Sequence, residues 1–213
     1  MRPSSRWTIL EAGAGKGQLT IPLLRRLPGS TSYIAVDSSR GAYRDWLPQL
    51  TRLLDATRLR ERVRVLNEDV RRMLSVKSQS VNAIVSNELL CDLPREAQLA
   101  RAFREFSRVL VPGGIMIHGE WSSVPRKDQK SFQVTHNPSW NPDQLSIQAS
   151  NAGFVGIEFC FFDTTLKFKG ESAEREVESW APAKHFLPKN KHILRKHGMR
   201  LPPEHIIFCH KPR

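Results

Sequence analysis

The chain has 213 residues, of which 39% are hydrophobic and 25% are charged, and its formal net charge is +12. This length and composition suit one globular domain with a full hydrophobic core. No run approaches the roughly 20 apolar residues of a membrane span, and no charged-then-apolar leader opens the sequence, so we expect a cytoplasmic protein without membrane contact. The three cysteines are few and far apart, which predicts buried thiols rather than disulfides or a paired-cysteine metal site.

The positive charge is unevenly distributed. Residues 184–213 hold eight Lys or Arg and one acid, Glu204, so this segment carries +7 of the +12. Residues 40–72 hold nine arginines against five acids. A field of this kind favours anionic partners such as RNA or phosphorylated metabolites. The alternative is that these residues form a solvated basic surface without a specific partner. The absence of aromatic residues interleaved with the basic ones, as in RNA-binding motifs, is consistent with this alternative.

The stretch from residue 8 to residue 17, TILEAGAGKG, is the most informative part of the sequence. A short apolar run ends in Glu11 and opens into Gly13, Gly15 and Gly17, and a stretch with helical periodicity follows. A strand, a glycine turn and a helix in this order place a nucleotide-like ligand against a helix N-terminus. Glycine allows close approach of the backbone to a ligand and permits positive φ. A glycine turn without a ligand is the alternative.

The spacing of the glycines indicates which ligand is bound. A dinucleotide fingerprint would place its third glycine at position 18, where this chain has Gln. Glu11 would repel a pyrophosphate but suits a ligand with a cationic end. In these features the chain resembles the class I S-adenosylmethionine-dependent methyltransferases, whose first motif is an acid followed by G-x-G-x-G. The resemblance implies that the three glycines wrap the methionine part of the cofactor. It also implies that Glu11 acts on the cofactor's ammonium group through backbone or water.

An acid closes the predicted second strand. Residues 32–36 predict a buried strand that ends at Asp37, 20 residues beyond Gly17. This is the spacing of a ribose-binding carboxylate, whose two oxygens can accept both ribose hydroxyls. The family places an acid here for the same purpose, and we assign the adjoining Ser38 to the cofactor site as well. The alternative role for Asp37 is the N-cap of the next helix.

The third strand is predicted over residues 63–66. In the methyltransferases that this chain resembles, an acid just past this strand accepts a hydrogen bond from the adenine amino group. The next backbone amide then contacts a ring nitrogen. Asp69 and Val70 match that pattern, and Glu68 is the alternative to Asp69.

The end of the predicted fourth strand, residues 81–86, should face the transferred methyl group, because ligands bind beyond the carboxyl ends of such strands. We assign Asn87 to the cofactor site. Glu88 and Asp92 are candidate catalytic bases, and His136 in the long polar segment 122–141 is a third. A base is needed only when the nucleophile carries a proton that must leave early. Each of these residues has a structural alternative, such as capping a helix or facing solvent.

The same loop gives partial information about the acceptor. It lacks the Asn or Asp followed by Pro-Pro and an aromatic that is typical of adenine-amino methyltransferases. It resembles the acidic loop of protein arginine methyltransferases, but Glu88 and Glu96 are one residue closer together than that motif requires. Glu96 is therefore predicted to begin the next helix. His118, in the fifth strand, is either a further base or a buried structural histidine, and the histidine spacing predicts no metal site.

The remaining elements complete an α/β fold. We predict the following features: a helix whose apolar stripe runs from Leu99 to Leu110, a fifth strand over 115–120, a short helix over 142–153, one long sixth strand over 154–168, an insertion over 171–203 and a closing strand over 205–209. The predicted fold is a doubly wound, mostly parallel seven-stranded sheet with an antiparallel last strand and helices on both faces. It forms a single domain over residues 1–213, and the insertion lies near the mouth of the site.

Three functions remain open from the sequence. The favoured one is methyl transfer from S-adenosylmethionine to a small molecule, which leaves S-adenosylhomocysteine, with the 122–141 loop and the insertion shaping the pocket. The second is the same reaction on RNA or a protein that is captured by the basic C-terminal tail. The third is an inactive cofactor-binding partner protein, and an oligomer is possible in each case.

Overall fold

The computed structural model describes residues 7–40, 43–121, 140–162, 167–178, 187–200 and 204–213. The strands in these ranges are β1 (Thr8–Ala12), β2 (Ser32–Asp37), β3 (Val63–Asn67), β4 (Val81–Asn87), β5 (Leu110–Trp121), β6 (Val155–Phe162), β7 (Lys167–Phe168), β8 (Met199–Arg200) and β9 (Glu204–His210). The helices are α1 (Thr20–Arg26), α2 (Trp46–Ala56), α3 (Glu96–Val109), α4 (Pro142–Asn151), α5 (Glu171–Glu178) and α6 (Leu187–His197). Within these ranges, no helix combines the length and the apolar character needed to cross a membrane.

Seven strands form the main sheet in the order β3-β2-β1-β4-β5-β9-β6. The first five pair in parallel, whereas β9 is antiparallel to both of its neighbours, β5 and β6. The prediction of a mostly parallel seven-stranded sheet with an antiparallel closing strand is therefore confirmed. β6 and β9 are neighbours in the sheet although the segment that contains α5 and α6 lies between them in the chain.

The sixth strand differs from its prediction. Residues 154–168 were expected to form one long strand, but β6 ends at Phe162. Lys167–Phe168 instead pairs with Met199–Arg200 in a separate two-stranded sheet. The prediction was wrong because alternation of side chains indicates strand conformation but does not say which partner strand supplies the hydrogen bonds.

Helices cover both faces of the main sheet, as predicted. Adjacent residues of a strand point to opposite faces. On β1, Leu10 packs in one hydrophobic cluster with Phe103 of α3, whereas Ile9 packs in another with Leu50 of α2. The first cluster also contains residues of α4 and the second contains residues of α1. The β-sheet is therefore held between two helical layers, and its strand ends are left as the exposed edges.

The segment between β6 and β9 has a small core of its own. Side chains of α5, α6 and β8 pack on Trp121, the last residue of β5, and the members of this cluster are Trp121, Ala173, Val177, Leu194 and Met199. Glu174 of α5 pairs with two basic residues of α6, Lys191 at 2.8 Å and Arg195. These contacts tie the described part of the predicted insertion to the carboxyl end of β5.

The carboxyl ends of β1, β2 and β4 meet at one edge of the sheet. Ala12 at the end of β1 lies level with Val36 of β2 and Ser86 of β4. β1 is also where the strand order reverses, because β2 and β3 lie on one side of it and β4 and β5 on the other. Such a reversal leaves a crevice above the strand ends, which is where open α/β sheets bind ligands.

Candidate functional site

The glycine turn after β1 depends on glycine for its backbone shape. Gly13, Gly15 and Gly17 have φ values of +73°, +54° and +95°, which residues with a side chain rarely adopt. A Cβ on Gly13 would lie 2.8 Å from Leu89 Cδ1, and one on Gly17 would lie 2.8 Å from Leu50 Cδ1. Gly13 and Gly15 line the cavity above the turn, whereas Gly17 packs against α2 below it. The turn therefore brings bare backbone to the crevice.

Glu11 lies beneath this turn and is buried. The hydroxyls of Thr20 and Tyr33 donate hydrogen bonds of 2.6 and 2.8 Å to its Oε2 atom. Burial raises the pKa of Glu11 to about 7, although these two hydrogen bonds act in the opposite direction. Glu11 also lines the cavity. A cation bound there would therefore favour the ionised form of a carboxyl that is partly protonated near neutral pH.

Asp37 closes β2 and is joined to the turn. The backbone N–H of Gly15 donates a hydrogen bond of 2.6 Å to its Oδ2 atom. Burial raises the pKa of Asp37, although the backbone amides of Gly15 and Ser38 lower it. The next helix, α2, begins at Trp46 with Asp45 as its N-cap, so Asp37 does not cap it. Asp37 and Ser38 both line the cavity.

The two acids after β3 point in different directions. Asp69 lines the cavity together with Val70, whereas Glu68 does not and instead accepts hydrogen bonds from Ser75. Asp69 accepts hydrogen bonds from Arg71, at 2.8 Å from Nε and 2.9 Å from the backbone amide. The Arg71 guanidinium holds the pKa of Asp69 below its usual value. Of the alternatives left open by the sequence, the geometry places Asp69 at the cavity.

The loop after β4 forms the next part of the wall. Asn87, Glu88 and Asp92 all line the cavity. Desolvation in the cavity, with added repulsion from Glu120 and Glu204, raises the pKa of Glu88 to about 7. Asp92 accepts a 2.8 Å hydrogen bond from the Tyr43 hydroxyl, and burial raises its pKa to about 6. Asp92 therefore links this loop to the segment before α2.

A buried carboxylate supports this loop from behind. Glu120 of β5 accepts hydrogen bonds from the backbone amides of Cys91, at 2.9 Å, and Trp121, at 3.0 Å. Its Oε2 lies 3.4 Å from His118 Nε2, and His118 Nδ1 lies 2.7 Å from Ser86 Oγ. Burial opposes ionisation of Glu120, but His118 and the two amides outweigh it and lower its pKa. His118 is fully buried and does not line the cavity, so it is the structural histidine of the two alternatives.

The cavity that these elements enclose has a volume of about 680 Å³, which lies within the size range of small-molecule sites. Several residues that line it were not predicted from the sequence: Tyr43, Trp46, Trp121, Glu176 and Glu204. They reach the cavity from α2 and the segment before it, from α5, and from the facing ends of β5 and β9, which only the fold brings together. The local sequence around each residue carries no signal of this role.

Two further predictions concern the same wall. Glu96 is the first residue of α3 and does not line the cavity, so the arginine-binding glutamate pair is not formed with Glu88. His136, the third candidate base, lies outside the described residues. Among those described, no group of His, Cys, Asp and Glu side chains could hold a metal ion.

Comparison with known proteins identifies the family. A family model described as a methyltransferase domain matches residues 9–114, about half of the chain. The fold also matches a SAM-dependent methyltransferase from Methanosarcina mazei, with a TM-score of 0.67 and 13% identity over 99% of this chain and 94% of that chain. The chain belongs to the class I S-adenosylmethionine-dependent methyltransferases.

Two other solved structures extend the comparison. A candidate sarcosine dimethylglycine methyltransferase from Galdieria sulphuraria matches with a TM-score of 0.65 and 15% identity, over 97% of this chain and 78% of that chain. Phosphoethanolamine N-methyltransferase 2 from Haemonchus contortus, solved with phosphomonomethylethanolamine and S-adenosylhomocysteine, matches with a TM-score of 0.66 and 14% identity. That match covers all of this chain and 50% of the other. At these identities the neighbours establish the fold alone, and no curated protein sequence matches the chain.

The turn itself provides a first test of the cofactor site. We expect Gly13→Ala to weaken binding of S-adenosylhomocysteine by about tenfold or more, because a side chain at positive φ strains the turn by about 1–3 kcal/mol. Titration calorimetry measures this affinity. Gly29→Ala is the matched control, since a Cβ at Gly29 has no neighbour within 4 Å. Equal affinities for the two variants would contradict a cofactor site at this turn.

Proposed function

We propose that this methyltransferase transfers the methyl group of S-adenosylmethionine to a small molecule bound in the 680 Å³ cavity. The observation that supports this proposal is the extent of the cavity. It includes the glycine turn and Asp37, and also a second group of lining residues at the ends of β4, β5 and β9. The first group suits the cofactor and the second leaves room for an acceptor next to it.

The cofactor is proposed to lie along the strand ends in one direction. Gly13 and Gly15 would contact its methionine part, and Glu11 would attract its ammonium group. Both hydrogen bonds to Glu11 end on Oε2, and its other oxygen receives none from the described residues. Asp37 would accept hydrogen bonds from the ribose hydroxyls, with Ser38 beside it.

The adenine and the reacting end complete the proposed arrangement. Asp69 would accept a hydrogen bond from the adenine amino group, since a carboxylate oxygen that already accepts a hydrogen bond from Arg71 has a further lone pair. The backbone amide of Val70 would contact the ring. Asn87, at the end of β4, would lie beside the sulfur-bearing end. Each of these three contacts uses a residue that lines the cavity.

The bound cofactor supplies an electrophilic methyl group, and the protein supplies position and proton handling. Holding the acceptor in line with that methyl group can account for about 7–11 kcal/mol of the barrier. Glu88 would accept a proton from the acceptor, because a carboxylate with a pKa near 7 is a suitable base at neutral pH. Asp92, which already accepts a hydrogen bond from Tyr43, would position the loop.

Two observations make an RNA acceptor less favourable. Part of the positive charge of residues 184–213 is used within the fold, because Lys191 and Arg195 pair with Glu174. The Lys211 ammonium similarly donates hydrogen bonds to two backbone carbonyls, at 2.8 and 2.9 Å. The insertion also contributes an acid, Glu176, to the cavity wall. Together with Glu88 and Glu204, which line the same wall, it makes that side acidic and unfavourable for phosphates.

Methyl-labelled S-adenosylmethionine tests the class of acceptor. We expect the protein to label the small-molecule fraction of a cell extract, and Asp37→Ala to abolish this labelling by weakening cofactor binding. Purified RNA should remain unlabelled. Labelling of RNA that declines steeply with added salt would contradict the small-molecule proposal. Cofactor binding without labelling of either fraction would instead favour an inactive binding protein.

The pH dependence of activity tests the role of Glu88. The carboxylate can accept a proton only when it is ionised, so kcat/KM should rise with pH through about 7 and be lost as pH falls below this value. We expect Glu88→Gln to remove this step and to lower kcat about 10²-fold, as for loss of a general base. The assay uses the acceptor fraction found by labelling.

Glu158→Gln is the control for this experiment, because Glu158 is exposed on β6 and does not line the cavity. Its pH profile should match that of the unaltered protein. A Glu88→Gln profile that still rises through about 7 would show that another group accepts the proton.

A further inference from the structure

The acceptor part of the cavity is acidic in a protein whose net charge is +12. We propose that the acceptor is an amine, whose nitrogen is cationic before and after methylation, and that Glu88 and Glu204 select it. This proposal depends on the proposed function, because it assigns a substrate class to the same cavity. It concerns specificity within that cavity and adds no second site.

The four acids come from three separate parts of the chain. Glu88 follows β4, Asp92 lies in the loop after it, Glu176 lies on α5 and Glu204 is the first residue of β9. In the β5–β9 ladder Glu204 lies level with Trp121, which places both residues at the same end of the sheet. The fold therefore gathers around this part of the cavity acids that are far apart in the chain.

Among the described residues, the basic side chains of the cavity wall lie in its cofactor part. Among the described residues that line it, only Lys16 and Arg71 are basic. The Lys16 ammonium lies 5.2 Å from the centre of the Trp46 ring, next to the glycine turn, and Arg71 binds Asp69. No ion pair within the described ranges involves Glu88, Asp92 or Glu204. Within the described part of the chain, no cationic side chain therefore neutralises these three carboxyls.

The acids also repel one another. Desolvation raises the pKa of Glu204, and the buried Glu120 raises it further. Repulsion from both Glu120 and Glu204 likewise raises the pKa of Glu88. A cation placed among these carboxyls would replace repulsion with attraction and favour their ionised forms. A carboxylate or phosphate acceptor would increase the repulsion, so the geometry discriminates between classes of acceptor.

An aromatic side chain completes the arrangement. Trp121 lines the cavity, and only 4% of its surface is exposed to solvent. Its backbone amide is bound by Glu120, and its ring packs against α5 and α6. Aromatic rings attract alkylated ammonium groups through cation–π contact. A tryptophan that lines the cavity beside several carboxyls therefore suits a methylated amine and gives no corresponding advantage to a neutral hydroxyl.

These residues account for the protons and charges of methyl transfer to an amine. An ammonium acceptor first gives a proton to the Glu88 carboxylate, which frees the lone pair on nitrogen. That lone pair forms the bond to the methyl carbon, while the sulfur–carbon bond breaks and its electron pair remains on sulfur as a neutral thioether. The positive charge moves from sulfur to nitrogen, towards the Glu204 carboxylate, and Glu88, which is neutral while it holds the proton, later releases that proton to solvent. Negative groups at the point where positive charge develops stabilise the transition state.

Choline and dimethylbutanol, in which carbon replaces the quaternary nitrogen, test this inference as probes of equal shape. Titration calorimetry of the protein saturated with S-adenosylhomocysteine should show choline binding at least about tenfold more tightly than dimethylbutanol. We expect Glu204→Gln and Glu88→Gln each to lower the choline affinity about tenfold. Neither substitution should alter binding of the neutral probe.

Glu158→Gln provides the matched control and should leave the affinity for choline unchanged. Thermal unfolding of each variant separates loss of binding from loss of the fold. Choline that binds no more tightly than dimethylbutanol, or that is insensitive to both cavity substitutions, would overturn the inference while leaving the proposed function intact. Failure to bind S-adenosylhomocysteine in the first step would instead overturn the proposed function.

Discussion

The site depends on a buried carboxylate at the end of the first strand. Glu11 is almost fully buried, and a buried acid is costly unless it has hydrogen-bond partners. Thr20, from the start of α1, and Tyr33, from β2, both supply one. These two bonds fix the helix and the neighbouring strand around the glycine turn. Because Asp37 also binds the Gly15 amide, the turn is held from below and from the side, and its backbone is presented to the cavity.

A second buried carboxylate organises the acceptor side in a similar way. Glu120 binds the backbone of Cys91 and Trp121, and so joins the loop after β4 to the end of β5. The cavity is thus framed by two internal acids, each satisfied by groups from different elements. Between them lie the glycine turn and the acidic wall, which we propose hold the cationic cofactor and a cationic acceptor, respectively.

The sequence was most informative where a function depends on local backbone. The glycine turn and Asp37 are separated by only one helix and one strand, so the number of residues between them indicates that they lie close together in the fold. The order of the elements likewise predicts the sheet. Glu204, Trp121 and Glu176 could not be found in this way, because β9 and α5 reach the cavity only through long-range packing. The predicted single strand over residues 154–168 failed for a related reason: its second part pairs with β8, which is a distant segment.

The most direct test is a crystal structure of the protein with S-adenosylhomocysteine. The account predicts the ribose hydroxyls about 2.6–3.2 Å from the Asp37 carboxylate, as hydrogen bonds require, with the amino-acid end of the ligand against Gly13 and Gly15. It also predicts open space between the sulfur and the wall that contains Glu88 and Glu204. A ligand bound away from the carboxyl ends of β1 and β2, or one whose ribose lies beyond hydrogen-bonding distance of Asp37, would contradict it.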